Sequence, residues 1–219
     1  MDEIVIKKLD NFFARYKKVS LKKGAIIIRA GEEITKIYYL KNGLVRQYLI
    51  TPDGQEVTLT LFKPIAYFPL MIAMSKKQTP YYFEAVTPLT MYACPPADII
   101  AFIKQEPDVL FDLTHRFADG LNGLLLKIEN MLFENAYAKI ISLLLYLGEK
   151  FGKKENGVIT ITLPLTHNDL ASMVGLQRET VSRQIEKLAK QGIIDNQKHL
   201  IRIVNMQKLK EEVSLFHPA

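Results

Sequence analysis

Between Thr166 and Leu188 the chain reads THNDLASMVGLQRETVSRQIEKL, and few folds can hold such a run. Thr166 is placed to cap a short helix through Val174, and Ala171 is small where a second helix must cross closely. Gly175 supplies a tight turn, and a second helix follows with Val181, Ile185 and Leu188 on its buried side. A small residue, a glycine four positions on and a β-branched residue six beyond it is the spacing of a helix-turn-helix. Each element alone is common. Together they are not.

The second helix carries a polar face opposite that stripe. At about 100° per residue, Arg178, Glu179, Ser182 and Arg183 fall within an arc of about 140°, turned away from Val181, Ile185 and Leu188. An arginine fork matches the paired O6 and N7 acceptors of guanine in a major groove, and a carboxylate accepts from the N4 amino group of cytosine. A carboxylate facing DNA otherwise repels phosphate, so Glu179 makes sense there as a base reader oriented by its arginine neighbours. A surface salt-bridge cluster is the competing reading. After the helix, Gly192 to Ile203 gives two apolar runs around a polar turn, a β-hairpin wing whose Lys198 and His199 can reach phosphate.

Upstream, to about Glu106, the pattern changes to strand. Gly24, Gly31, Gly43 and Gly54 punctuate short β-branched and aromatic runs: Ala25–Arg29, Ile37–Leu40, Leu44–Ile50 and Glu56–Leu61. Pro52-Asp53-Gly54 between two alternating runs is a hairpin signal, because glycine takes positive φ cheaply. Short strands at this spacing predict a sandwich or small barrel, with a leading helix around Ile4 to Tyr16 packing Phe12 and Phe13 against it.

Pro107 to Glu134 then reads as one helix, a rod of ~40 Å. Proline is tolerated in its first turn and Asp108 suits the positive end of its dipole. Heptad spacing aligns Thr114, Phe117, Leu121, Leu124, Ile128 and Met131 along one seam, which suits a coiled coil with a second copy of the chain. A core helix packed on its own barrel shows the same pattern. Gly120 and Gly123 each cost a helix interior ~1 kcal/mol, and either permit close helix approach or leave room for a ligand. Phe133 to Ala136 looks like a hinge, with Asn135 the N-cap of a helix through Ile140, Leu144 and Leu147. Lys153 to Gly157 reads as a polar turn and Val158–Leu163 as a strand.

Composition narrows the class. Of 219 residues 48% are apolar and 24% charged, which excludes wholesale disorder. No run approaches the roughly eighteen apolar residues of a spanning helix, and no secretory leader is read at the N-terminus, so a reducing cytoplasm is the expected location. The lone Cys94 cannot form an internal disulfide or hold an iron–sulfur cluster. In Tyr92-Ala93-Cys94-Pro95 it reads as a small buried hydrophobe. His115, His167, His199 and His217 lack metal-ligand spacing, so neither haem nor metal is expected. A barrel-type metalloenzyme needs a histidine–carboxylate cluster on adjacent strands, and the segment before Glu106 has no histidine. An enzyme is not expected. Residues 136–219 carry 12 Lys+Arg against 8 Asp+Glu, a surplus that fits a polyanionic partner.

Strand, helix, turn, helix and wing, with Arg178-Glu179-Thr180-Val181-Ser182-Arg183 in the reading helix, closely resemble the Crp–Fnr superfamily of bacterial transcription regulators. Gly31-Glu32, Tyr38-Tyr39, Gly43 and Pro52-Asp53-Gly54 resemble that family's barrel, Glu106-Pro107-Asp108 to Phe133 its dimerisation helix, and Phe133 to Asn135 its hinge. The resemblance implies an α+β protein in three parts: a sensor domain over 1–106, a dimerisation helix and hinge over 107–135, and a winged helix-turn-helix domain over 136–219. The first part is then a double-stranded β-helix, the jelly-roll barrel of cyclic-nucleotide-binding domains. It implies a homodimer whose two reading helices enter successive major grooves of an inverted repeat.

Arg178, Glu179 and Arg183 match the set by which the cyclic-AMP-responsive branch reads TGTGA, and Glu179, Ser182 and Arg183 the set by which the oxygen-responsive branch reads TTGAT. The implied phosphate contacts are Thr166, Gln177, Thr180, Lys198 and His199. Lys153 to Gly157 matches a loop that family activators present to RNA polymerase.

The departures concern the sensor. Where the cyclic-AMP-responsive branch has Gly-Glu and Arg-Ser or Arg-Thr pairs for ribose and phosphate, this chain has Tyr67-Phe68-Pro69-Leu70 and Gln78-Thr79-Pro80-Tyr81-Tyr82. A phosphate needs a positive charge or backbone amides; no arginine is present and two prolines remove N–H donors. Leu124 and Leu125 replace the polar residues that touch adenine. The expected effector is therefore not cyclic AMP, although a nucleotide receptor with a rebuilt pocket stays open. The cysteine cluster of the oxygen-sensing branch is missing. Tyr67, Phe68, Leu70, Tyr81, Tyr82, Leu124 and Leu125 either line a pocket for an apolar or aromatic molecule or are simply core.

Overall fold

The computed structural model describes residues 2–75, 78–132, 135–197 and 200–214. By internal contacts the chain divides into two units, Met1–Leu121 and Asn122–Ala219.

The first unit begins with α1 (Glu3–Phe13), capped by the Asp2 carboxylate, which accepts the Ile4 N–H at 3.0 Å. It buries Val5, Leu9, Phe12 and Phe13. The helix stops at Phe13, short of the expected Tyr16, because the chain must turn to deliver Lys17 to a sheet. Tyr16 instead donates its hydroxyl to Asp98 at 3.0 Å. There follow β1 (Lys17–Leu21), β2 (Ile26–Ile28), β3 (Ile37–Asn42), β4 (Val45–Ile50), β5 (Glu56–Phe62), β6 (Tyr67–Phe68), α2 (Leu70–Ser75), β7 (Tyr82–Ala85), β8 (Leu89–Cys94) and α3 (Pro96–Gln105). The strands pair antiparallel as two four-stranded sheets, β1-β8-β3-β6 and β2-β7-β4-β5.

Side-chain alternation sorts this unit into layers. Leu40, Val45, Phe68, Phe83, Ala85, Leu89 and Met91, drawn from both sheets, form one core between them. On the other face of the first sheet, Ile37, Tyr39, Tyr67 and Cys94 meet α1, α3 and the start of α4 (Pro107–Leu132) in a second core with Phe13, Ile99, Val109 and Leu113. Gly43 sits where the β3–β4 turn crosses β8; its φ is +89°, and a Cβ there would lie 2.5 Å from Leu89 Cβ and from the Pro88 carbonyl. The Lys8 ammonium lies 2.6 Å from both Glu106 and Asp108, tying α1 to the first turn of α4. Beyond Leu113 the apolar residues Phe117, Leu121, Leu124 and Leu125 are exposed on the single chain.

The second unit contains the end of α4, then α5 (Ala136–Phe151), β9 (Gly152–Glu155), β10 (Val158–Ile161), α6 (His167–Val174), α7 (Arg178–Lys190), β11 (Ile194–Gln197), β12 (Leu200–Ile203) and α8 (Met206–Ser214). Its sheet runs β11-β12-β10-β9. Lys153 to Glu155 are not turn but strand, a correction to the sequence reading. Asn156 and Gly157 alone make the turn, with φ of 48° and 81°, the doubly positive pair of a two-residue hairpin. The lysines that suggested a loop belong to a solvated edge strand, where charge discourages further pairing.

Candidate nucleic-acid interface

Thr166 and Asp169 close a capping box at the start of α6. Thr166 Oγ1 accepts the Asp169 N–H at 3.2 Å, and Asp169 Oδ2 accepts from the Thr166 N–H and hydroxyl, each at 2.7 Å. This satisfies two amides that a helix start leaves open. Gly175 ends the helix in the left-handed conformation at φ 66°, and the Leu176 N–H returns to the Ala171 carbonyl at 3.2 Å. Ala171 is buried, and α6 contacts α7. In α7, Val181, Ile185 and Leu188 are buried, as are Ile140, Ile141, Leu144 and Leu147 of α5, a helix that contacts α7.

The opposite face of α7 is open. Arg178, Glu179 and Arg183 are exposed and Ser182 is half-buried. Arg183 donates to Thr180 Oγ1 at 3.3 Å. Among the described residues no ion pair engages Arg178, Glu179 or Arg183, so the surface salt-bridge cluster is not what the structure shows. Gln177 caps α7 without a side-chain hydrogen bond and is exposed. The same face continues into an open cleft lined by Arg183, Glu186, Lys187, Lys190 and Gln191. Beyond α7, β11 and β12 pair Ile194 with Ile203 and Asp195 with Arg202. The wing tip residues Lys198 and His199 lie outside the described residues.

Asn135 caps α5, accepting the Tyr137 N–H at 2.8 Å; its hinge companion Phe133 lies outside the described residues. Of the expected seam, Phe117, Leu121 and Leu124 are exposed on α4, while the side chains of Ile128 and Met131 lie outside the described set. Sequence reasoning passed over the cluster at the far end of α7. There Tyr137, Lys187, Gln191 and Glu212 come together from three helices separated by long stretches of chain. The hint was a tyrosine, with its polar tip, on the buried stripe of α5.

Within the barrel, the residues singled out for an effector fall on different layers. Tyr67 and Leu70 face the helical layer, and Phe68 faces the core between the sheets with Tyr81 packed against it. Tyr82 stacks on Tyr48 at 5.2 Å between ring centroids, and Leu124 and Leu125 are exposed on α4. Thr79 is buried and its Oγ1 accepts the Tyr81 N–H at 3.1 Å. Cys94 is buried, which pushes its thiol up to about 12; the nearby Asp98 carboxylate adds to the shift. Among the described residues no helix is long and apolar enough to cross a membrane.

A capped helix, a left-handed glycine turn, a second helix with an open cationic face and a following hairpin, downstream of a two-sheet barrel, define a winged helix-turn-helix protein with a sensor-type barrel. The family model of the Crp-like helix-turn-helix domain matches residues 138–212, and that of the cyclic nucleotide-binding domain matches residues 18–106. The transcriptional regulator SdrP of Thermus thermophilus is 29% identical over 196 residues, covering 88% of this chain and 92% of its own. A solved CRP/FNR-family transcriptional regulator from Thermus thermophilus matches with a TM-score of 0.72 and 28% identity, over 90% of this chain and 98% of that one. The solved CooA variant from Carboxydothermus hydrogenoformans shares the fold with a TM-score of 0.80 at 23% identity, over 93% and 90% of the two chains. The chain belongs to the Crp/Fnr family and is a DNA-binding transcription regulator, not an enzyme.

Proposed function

We propose that the protein acts as a homodimer that reads an inverted repeat with TGTGA- or TTGA-like half-sites. Arg178, Glu179, Ser182 and Arg183 contact bases, and Thr166, Gln177, Thr180, Lys198 and His199 contact phosphates. The observation that carries this reading is the two-sided character of α7: a fully buried stripe of Val181, Ile185 and Leu188 backs an exposed face whose arginines no carboxylate neutralises among the described residues. Two such helices fit successive major grooves about 34–36 Å apart. The Thr166 hydroxyl is engaged with Asp169, so its phosphate contact uses the oxygen's remaining lone pair or the end of the capped helix.

The controlling effector in this reading is not cyclic AMP. Supporting it, no arginine lies in Tyr67-Phe68-Pro69-Leu70 or in Gln78-Thr79-Pro80-Tyr81-Tyr82, where ribose and phosphate would have to be held, and Thr79 already spends its hydroxyl on Tyr81. The dimer then presents one face to RNA polymerase, and the cytoplasm is where both partners are met.

The test is a gel-shift titration on inverted-repeat duplexes. Arg183→Ala costs ~1–3 kcal/mol at a guanine-containing half-site and relaxes preference at that position. Wild-type affinity falls steeply with salt as phosphate contacts release counterions. Equal affinities for wild type and variant remove Arg183 from the reading set. Calorimetry with cyclic AMP decides the effector class, with no heat expected.

A further inference from the structure

Tyr137 follows the helix cap Asn135 by two residues and is buried, yet it is polar at its tip. Its hydroxyl lies 2.8 Å from Gln191 Oε1 and 3.1 Å from Glu212 Oε2. The Lys187 ammonium stands 3.9 Å from the centre of its ring, within cation–π range. Gln191 is the residue that ends α7; its N–H closes on the Lys187 carbonyl at 3.1 Å, and its own carbonyl accepts from Lys208 at 3.4 Å. One phenol therefore joins the first turn of α5, the last turn of α7 and the side of α8. A phenol has one proton. Turning the Gln191 amide end for end places an N–H on the ring oxygen and leaves the proton for Glu212, so all three groups are satisfied. Burial, then Glu212, pushes the phenol up to about 12, so the hydroxyl keeps its proton.

We propose that Tyr137 is a positioning residue for DNA reading: it fixes the direction in which α7 presents Arg178, Glu179 and Arg183. The inference rests on α7 being the reading helix. α7 has 13 residues and is about 20 Å long, so a tilt of about 5° about its Gln191 end moves Arg178 by about 1.7 Å. A shift of that size breaks a bidentate base contact, whose geometry is fixed, but hardly alters attraction to the phosphate backbone. Tyr137 thus governs the ratio of specific to non-specific affinity. A residue that merely holds the domain together lowers both alike through the folded fraction.

The experiment compares full-length wild type, Tyr137→Phe, Glu212→Gln and Arg183→Ala. Each is titrated at one salt concentration on the inverted repeat that wild type selects from a random duplex pool, and on an unrelated duplex. Phenylalanine keeps the ring and the Lys187 contact while deleting the hydroxyl. Tyr137→Phe lowers affinity for the selected repeat roughly tenfold, the value of one lost charge-assisted hydrogen bond, and leaves the unrelated duplex within about twofold. Glu212→Gln keeps an acceptor and retains most of the wild-type ratio. An unchanged ratio in Tyr137→Phe, or a parallel loss on both duplexes, overturns the inference. If Arg183→Ala also leaves the ratio unchanged, or wild type selects no repeat, the DNA-reading assignment of α7 has failed beneath it.

Discussion

Arg116 of the long helix donates to the backbone carbonyl of Ile65 at 3.3 Å, and Ile65 stands at φ 76° in the turn between β5 and β6. A left-handed backbone costs an ordinary residue ~1–2 kcal/mol, and a β-branched one no less. The turn is pinned at two further points, Ile65 N–H to the Leu40 carbonyl and Leu40 N–H to the Ala66 carbonyl, both 2.8 Å. Arg116 also donates to Asp112 at 2.7 Å and lies 5.5 Å from the centre of the Tyr67 ring. It thereby couples α4 to the strand that opens the Tyr67-Phe68-Pro69-Leu70 segment. Arg116→Met is expected to cost ~1.5–3 kcal/mol by removing charge-assisted bonds around a mostly buried carboxylate. Glycine takes the Ile65 conformation freely, so the double variant with Ile65→Gly loses less than the sum of the two singles in urea denaturation. Strict additivity would show that the two residues are not coupled.

Two glycines separate backbone strain from crowding. Gly175 has φ 66° with open space around it, whereas Gly43 combines φ 89° with neighbours at 2.5 Å, one of them a carbonyl oxygen. Gly175→Ala should cost only the conformational ~1–2 kcal/mol. Gly43→Ala adds a clash with backbone that cannot swing aside, and the expected result is failure to accumulate as folded protein. Thermal melts of the two variants check the order.

The α6–Gly175–α7 unit was legible because its signals are local: a cap, a small residue at a crossing, a positive-φ glycine and an apolar stripe all lie within 23 residues. The hairpin at Pro52-Asp53-Gly54 was legible for the same reason. β1 was not, since Lys17-Lys18-Val19-Ser20-Leu21 alternates weakly and becomes a strand only by pairing with β8, some seventy residues on. β9 was misread because an edge strand uses the same lysines as a loop. In the sensor half, aromatic residues adjacent in sequence looked like one lining, but Tyr67 and Phe68 are neighbours on a strand and so face opposite layers. The Tyr137 cluster escaped because its partners come from three helices, and no spacing rule links them.

The exposed apolar face of α4 makes a further prediction. Leu121 and Leu124 are 59% and 53% exposed on the single chain, so they contribute little to its own core. Paired substitution to glutamate should convert a dimer to monomers in sedimentation while the monomer keeps its own core, so that the thermal midpoint no longer depends on protein concentration. Binding to an inverted repeat should then weaken by at least tenfold, because the second half-site is no longer bound in the same event. A variant that stays dimeric places the interface elsewhere.

Tyr67 supplies the most direct probe of the helical layer. Its hydroxyl is buried and has no hydrogen-bond partner among the described residues, while Arg116 sits over its ring. Leaving such a group dry costs ~1–3 kcal/mol, so Tyr67→Phe should raise the stability of the unliganded protein by about 1 kcal/mol. Burial also pushes this phenol up to about 12, against a partial opposing pull from Arg116. The unfolded chain ionises first, near pH 10. The stability linked to the neutral phenol is therefore complete below about pH 10 and is lost as the pH climbs through 12. Tyr67→Phe removes that contribution, so its stability should fall less steeply than wild type across the same window. Denaturation at neutral and alkaline pH reads both effects. A loss of stability at neutral pH instead of a gain would mean that the hydroxyl is paired in solution, and would return Tyr67 to the list of groups that hold a bound molecule.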